Sequence, residues 1–288
     1  MNAKYDVVYY TSSCTSVVLT PEISRFPDGT VGVRIKDLSN DVPEHIHLRV
    51  QGYEPALIDI LMGLKQIIEN QYSPSIPVSL AIPYMPHARY DRYMTGDDAH
   101  MLKIFAKQLN SLGLSAVFIC DPHSTVTEAL VDNVVVCSQH NLVERFVRRK
   151  RIDVESYDYI VAPDIGAVKK AQKIADQYKR PLVVLNKVRD LETGDITGLE
   201  ILGKLVFVET DTFLIVDDLC DGGRTFVEVA KTLKAFGGGD VDLYVTHGIF
   251  SQGVENLVDN GIRHVYSTNS FKDIEHESLT QLDVMNIT

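Results

Sequence analysis

The chain has 288 residues, 45% of them hydrophobic and 23% charged, with a formal net charge of −11 at pH 7. That length can bury a full core in one or two domains, and the composition is that of an ordinary globular protein. The acidic balance argues against nonspecific binding to nucleic acid or to an anionic membrane surface, but not against an anionic substrate held by local amides, lysines and a metal.

Four cysteines, Cys14, Cys120, Cys137 and Cys220, lack CxxC spacing, which argues for a reducing compartment and against a zinc site or a disulfide framework. The opening MNAKYDVVYY has neither the basic nor the apolar block of a signal peptide, and no apolar run reaches membrane-span length. The expected location is the cytoplasm.

Short strands are predicted at 5–10, 31–35 and 45–50, around the turn Phe26-Pro27-Asp28-Gly29. Leu57, Ile60, Leu61, Leu64, Ile67 and Ile68 fall on one face of a helix. A strand over 77–82 leads into the polar loop PYMPHARYDRYMTGDD, a helix over 98–112, and a strand over 116–120 that ends in Asp121-Pro122-His123-Ser124. After a strand at 134–137 the pattern begins again. A helix near 139–149 ends in the basic run 148–151, a strand at 159–162 ends in Pro163-Asp164-Ile165-Gly166, and a further helix follows. A strand at 182–185 runs into a polar loop over 186–198. Gly237–Gly239 reads as a helix stop, and strands at 241–246 and 264–266 close the sheet.

Strands alternating with helices imply mainly parallel sheets covered on both faces. The restart near residue 140 predicts two similar three-layer α/β/α halves, 1–140 and 141–288.

The stretch TFLIVDDLCDGGRT, 212–225, concentrates the chemistry. The apolar run 213–216 reads as a buried strand, the residues from Asp217 as a tight acidic loop, and the residues from Phe226 as a helix. Ligands in such sheets collect beyond the carboxyl ends of the strands, where a helix start offers unpaired N–H groups to phosphate. Gly222 and Gly223 allow close backbone approach and an anion nest, whereas Asp217 and Asp218 suit sugar hydroxyls. Carboxylates followed by amides fit a phosphosugar. An acidic turn with Asp221 as a helix cap is the bland alternative.

Other strand ends carry weaker signals. Arg89 and Arg92 around Asp91 could grip a polyphosphate or form a surface ion-pair cluster. His123, taken alone, is more often an ordinary polar residue than a metal ligand. Asp164 reads equally as a helix cap or a metal ligand. Lys187 and Arg189 could close over a transferring phosphoryl group or be incidental cations on a solvated loop.

The 212–225 stretch resembles the phosphoribosyl-diphosphate (PRPP) loop of type I phosphoribosyltransferases and PRPP synthetases. The ordered series ARYDR, DPHS, APDIGAVKKA, NKVR, VDDLCDGGRT and THGIFS, with the early RFPDG turn, resembles the ribose-phosphate diphosphokinase family over nearly the whole chain. That resemblance implies a type I phosphoribosyltransferase-like fold and diphosphoryl transfer from ATP to ribose 5-phosphate, with Mg²⁺. It implies ATP contacts from Phe26, Asp28, Gly29 and Thr30, from Arg89 and from Tyr90. Metal-associated positions would be His123 and Asp164, and catalytic cations Lys187 and Arg189. Ribose 5-phosphate would be held by Asp217, Asp218, Asp221, Gly222, Gly223, Arg224 and Thr225, with Arg189 beside it.

Thr30, Tyr90, Val188, Gly222 and Arg224 depart from the family's usual residues. Because the family shares its ATP site between subunits, a homodimer or larger assembly is implied. Two other readings stand beside this one: a phosphoribosyltransferase that consumes PRPP, and a non-catalytic partner of a true synthetase. No Walker GxxxxGK[ST] run is present.

Overall fold

Apolar runs of four to eight residues bounded by turns become strands, and the 3.6-periodic segments between them become helices. A computed structural model describes residues 3–10, 16–93, 95–189, 196–203 and 206–285, with the side chains of 187–189 and 196–197 outside that description. The chain divides into two compact units, Met1–Cys137 with Val284–Thr288, and Ser138–Asp283.

The first unit contains β1 (Lys4–Tyr10), β2 (Ser16–Leu19), β3 (Glu22–Arg25), β4 (Val31–Arg34), β5 (His45–Gln51), α1 (Leu57–Gln71), β6 (Val78–Ala81), α2 (Met101–Asn110), β7 (Ala116–Cys120), α3 (Val126–Leu130) and β8 (Val134–Cys137). Its six-stranded sheet runs β2-β1-β5-β6-β7-β8. β5 to β8 are parallel, whereas β1 is antiparallel to both of its neighbours. α1 buries Leu57, Ile60, Leu61, Leu64 and Ile68 in one core with Ile46, Leu48 and Val50 of β5, so helical and strand periods meet on one face of the sheet. β3 and β4 form a separate hairpin around the 26–30 turn.

The second unit contains α4 (Gln139–Arg148), β9 (Tyr159–Ala162), α5 (Val168–Tyr178), β10 (Leu182–Arg189), β11 (Ile196–Ile201), β12 (Phe213–Cys220), α6 (Arg224–Ala235), β13 (Val241–Gly248), α7 (Glu255–Val258), β14 (Val265–Thr268) and β15 (Leu279–Leu282). The seven-stranded order is β11-β10-β9-β12-β13-β14-β15. Only the β10–β11 pairing is antiparallel among the described strands of this sheet. β12, flanked by β9 and β13, buries Phe213–Val216 completely, as expected for a parallel strand covered on both faces. The expected α/β class with mainly parallel sheets is the class observed.

Two expectations about local structure are corrected. The strand predicted at 182–185 continues to Arg189 and returns as β11, with Lys187 paired to Leu199, so 186–189 is strand rather than loop. Cross-strand hydrogen bonds keep that polar stretch extended. β12 likewise runs through Asp217 and Asp218: Asp217 pairs with Val245 of β13 and Leu219 with His247. The helix stop is present at Gly237, where φ is +89° and the N–H donates to Lys234 at 3.0 Å.

Candidate active site

The end of β12 turns directly into α6. Gly223 precedes the helix with φ +80°, a left-handed conformation that glycine adopts without strain. A Cβ there would lie 2.6 Å from Leu257 Cδ2, so close packing forbids a side chain as well. Gly222 is different: an added Cβ would meet Gln252 Cγ at 3.6 Å, an ordinary contact. No side chain caps α6, so its first amides have no side-chain acceptor from the capping residue. The reading of Asp221 as the cap is therefore not what the structure has.

The loop is braced from β13 onward. Ile249 N and Phe250 N donate to Cys220 O at 2.9 and 3.2 Å, and Ser251 N donates to Asp221 O at 3.1 Å. Asn256 Nδ2 donates to Gly222 O at 3.3 Å. Thus the THGIFS segment fixes the backbone of the DGG turn.

Three carboxylates influence one another at the carboxyl end of β9 and β12. Enclosure pushes the Asp217 carboxyl well above its ordinary range, and the charges of Asp218 and Asp164 push it the same way. Lys170 on α5 answers part of this charge, with Nζ 3.8 Å from Asp218 Oδ2. Gln139 on α4 donates to Asp217 O at 2.8 Å. Asp164 Oδ1 accepts from Ala167 N at 3.2 Å, which realises the capping alternative for that residue.

The residues expected at the nucleotide, and His123, lie in the first unit. Thr30 N and Oγ1 both donate to Asp28 Oδ1, at 3.0 and 2.7 Å, and these bonds lower the Asp28 carboxyl below its ordinary value. Phe26 stands exposed at the same turn, and Gly29 there has φ +87°. Arg89 and Tyr90 are exposed. Asp91 is buried and accepts from Arg92 Nε at 3.1 Å. Burial raises the Asp91 carboxyl, but bonds from Ser124 and Arg92 and the charges of Arg92 and His123 outweigh it and hold the carboxyl low. Asp91 thereby links the ARYDR loop to the DPHS loop. His123 is exposed beside that link.

Lys187 and Arg189 lie on β10 in backbone, but their side chains fall outside the described residues. Asp221 and Arg224 are exposed, and Arg224 Nε donates to Glu228 Oε1 at 2.8 Å, one helical turn on. Thr225 is half-buried in the first turn of α6. Two residues of this constellation were missed in the sequence. Lys170 lies within the quoted APDIGAVKKA run, where its neighbour Lys169 is equally charged. Gln139 lies 78 residues from Asp217 and carries no local signal.

Among the described residues, no cluster of three or more His, Cys, Asp or Glu side chains converges as a metal site, and no helix is long and apolar enough to cross a membrane. Asp164, at the end of β9, offers the hard oxygen donor suited to a hydrated divalent cation that takes few ligands from protein.

Comparison with known proteins defines the class first. The phosphoribosyl transferase domain family matches residues 140–274, which span the β9, β12 and α6 ends just described. A ribose-phosphate pyrophosphokinase of Thermosipho africanus is 31% identical over 264 residues, covering 90% of this chain and 79% of the relative. The Thermotoga maritima protein of the same name is 28% identical over 264 residues, covering 90% and 80%. A crystal structure of phosphoribosylpyrophosphate synthetase from Mycobacterium smegmatis shares the fold, with a TM-score of 0.77 at 23% identity over 93% of this chain and 87% of that one. The chain belongs to the ribose-phosphate pyrophosphokinase family.

Proposed function

We propose that the chain transfers the diphosphoryl group of ATP to the anomeric hydroxyl of ribose 5-phosphate, giving PRPP and AMP. The observation that carries this reading is the end of β12, where the strand carboxylates Asp217 and Asp218 are followed, after Leu219–Asp221, by the glycines Gly222 and Gly223 that lead into α6. The Asp217 and Asp218 carboxylates accept from the ribose hydroxyls, and the amides of 222–225 receive the 5-phosphate. Family membership supports the same assignment.

In the transfer, the anomeric oxygen forms a bond to the β-phosphorus while the bond from that phosphorus to the α,β-bridging oxygen breaks. AMP leaves with the bridging oxygen. Such reactions depend on alignment and on neutralising charge spread over phosphoryl oxygens. Lys187 and Arg189 supply positive charge there. Phe26, Asp28, Gly29, Thr30, Arg89 and Tyr90 bind the nucleotide. Asp164 and, separately, His123 are the two Mg²⁺-associated positions; each would take a hydrated ion carried with substrate phosphates, and that charge would offset phosphoryl charge. A cytoplasmic setting and a homo-oligomer with shared nucleotide sites complete the proposal.

The test is an assay with ATP, Mg²⁺ and ribose 5-phosphate that follows AMP and PRPP together. Equimolar products, with AMP strictly dependent on ribose 5-phosphate, are expected. No AMP under those conditions would overturn the reading, and formation of nucleotide from PRPP and a free base would replace it.

A further inference from the structure

Cys120 and Cys137 are the final residues of β7 and β8, and they face each other as register partners in the parallel pairing. Neighbouring strands lie about 4.8 Å apart. That spacing falls within the window of roughly 4.4–6.8 Å between Cα atoms that a disulfide accepts. Both side chains project from the same face of the sheet. Val117 and Ile119 of β7 and Val134 and Val136 of β8 point into the core, so strand alternation directs Cys120 and Cys137 to the other side. Both are thiols in the structure.

Their position is what makes the pair consequential. Asp121 N donates to Cys137 O at 2.8 Å, and Asp121 holds a left-handed backbone with φ +35°. His123 follows two residues later. Cys137 is also the last residue of the first unit's sheet before the second unit begins at Ser138.

We propose that Cys120 and Cys137 form a reversible cross-strand disulfide that responds to small-molecule disulfides and alters the setting of the His123 loop. Cys137 is half-exposed and Cys120 buried, so reaction begins at the edge strand. The Cys137 thiol loses its proton, and the thiolate attacks one sulfur of glutathione disulfide, forming a mixed disulfide and releasing one glutathione thiolate, which takes up that proton. Deprotonated Cys120 then attacks the Cys137 sulfur, the mixed bond breaks, and a second glutathione leaves as its thiol. Two protein thiols are oxidised and one glutathione disulfide is reduced to two thiols. The link to activity rests on the function proposed above; the disulfide itself does not.

The experiment treats the native full-length chain with glutathione disulfide and then alkylates it. Of the four cysteines, two are expected to escape alkylation, with a single cross-linked peptide pair joining Cys120 to Cys137. Cys120→Ser should stop at a glutathione adduct on Cys137, and Cys137→Ser should leave Cys120 reduced. A native chain that keeps both thiols alkylatable, or cross-links another pair, overturns the disulfide. The oxidised chain should form AMP severalfold more slowly than the reduced chain, with recovery on adding dithiothreitol and no change in Cys137→Ser. Oxidation that goes to completion without altering AMP formation overturns the coupling to His123. Absence of AMP from the reduced chain would instead count against the proposed function.

Discussion

Lys170 Nζ lies 3.8 Å from Asp218 Oδ2, whereas neighbouring Asp217 has Asp218 and Asp164 as its charged influences. The cation of α5 therefore answers one carboxylate of the strand end while the other is held against like charge. A carboxyl raised in the folded state favours the protonated form. Its contribution to stability is greatest at low pH and is lost as pH rises through the folded value.

Asp217→Asn removes that titratable carboxyl. The variant should be more stable than the parent at neutral pH, and the advantage should disappear on acidification. Hydrogen bonds to charged groups contribute about 1.5–3 kcal/mol, so KM for ribose 5-phosphate should rise about 10- to 100-fold. Thermal unfolding at two pH values and a ribose 5-phosphate titration check both halves. A parent more stable than the variant at neutral pH would contradict the charge account.

The adjacent glycines should respond in opposite ways. Gly223→Ala would force a methyl to 2.6 Å from Leu257 Cδ2 at a φ of +80°. A cost of about 1–3 kcal/mol is expected from the strained backbone, with loss of ribose 5-phosphate affinity. At Gly222 an added Cβ meets nothing nearer than 3.6 Å, so Gly222→Ala should fold as the parent does. Denaturant midpoints for the two variants decide between a loop set by packing and one indifferent to side chains.

The apolar run 213–216, the periodic face of α1 and the strands at 116–120, 134–137 and 159–162 were legible because core burial writes a period into the sequence. The extension of β12 through Asp217 and Asp218 was not. Carboxylates at the end of a strand break the apolar signal that marks it, although the ladder continues. β11 escaped notice for a similar reason: Thr197, Gly198 and Glu200 interrupt its hydrophobic pattern. α3 and β15 are too short to establish a period. The DGG turn could be read in place because its glycines have a backbone purpose. The Lys170–Asp218 and Gln139–Asp217 contacts depend on which helix packs beside which strand, and local sequence does not state that.

Acid should weaken the first unit through His47. Burial, then the charges of Arg49 and His45, lowers its imidazole from 6.5 to about 4. Its Nδ1 shares a 2.7 Å hydrogen bond with Ser79 Oγ, which also lies 2.7 Å from His45 Nε2. The unfolded chain takes up the proton first as pH falls. Stability should therefore decline between about pH 6.5 and 4, by roughly 3 kcal/mol from this group. His47→Gln should flatten that part of the profile. An unchanged slope in the variant would assign the acid sensitivity elsewhere.

In the second unit, Asp242 is buried and accepts from Arg263 Nε and Nη2 at 2.9 and 2.7 Å, and from the Tyr157 hydroxyl. Arg263 also reaches Asp240 at 2.7 Å. Half of the Arg263 side chain is exposed, so water screens part of the pairing. Arg263→Ala leaves the Asp242 charge buried with fewer donors and should cost about 1–3 kcal/mol. Arg263→Lys should recover only part of this, because an ammonium cannot reproduce the two-pronged contact. Urea unfolding of the three proteins measures the order.

A strand, not a loop, carries Lys187. Lys187 sits on β10 opposite Leu199 of β11, so its backbone is held by a ladder rather than by a free segment. In the proposed reaction, a cation on a strand-held backbone would need little reorganisation to offset phosphoryl charge, the condition under which electrostatic stabilisation is most effective. Lys187→Ala should lower turnover about 10²- to 10³-fold. Ribose 5-phosphate binding should be largely retained, because the carboxylates and amides of 217–225 remain. Lys187→Met, which keeps the aliphatic length, should be as slow as the alanine variant. If methionine instead restored turnover, the side chain would serve packing in the β10–β11 hairpin, and the positive charge at the transition state would have to come from another residue.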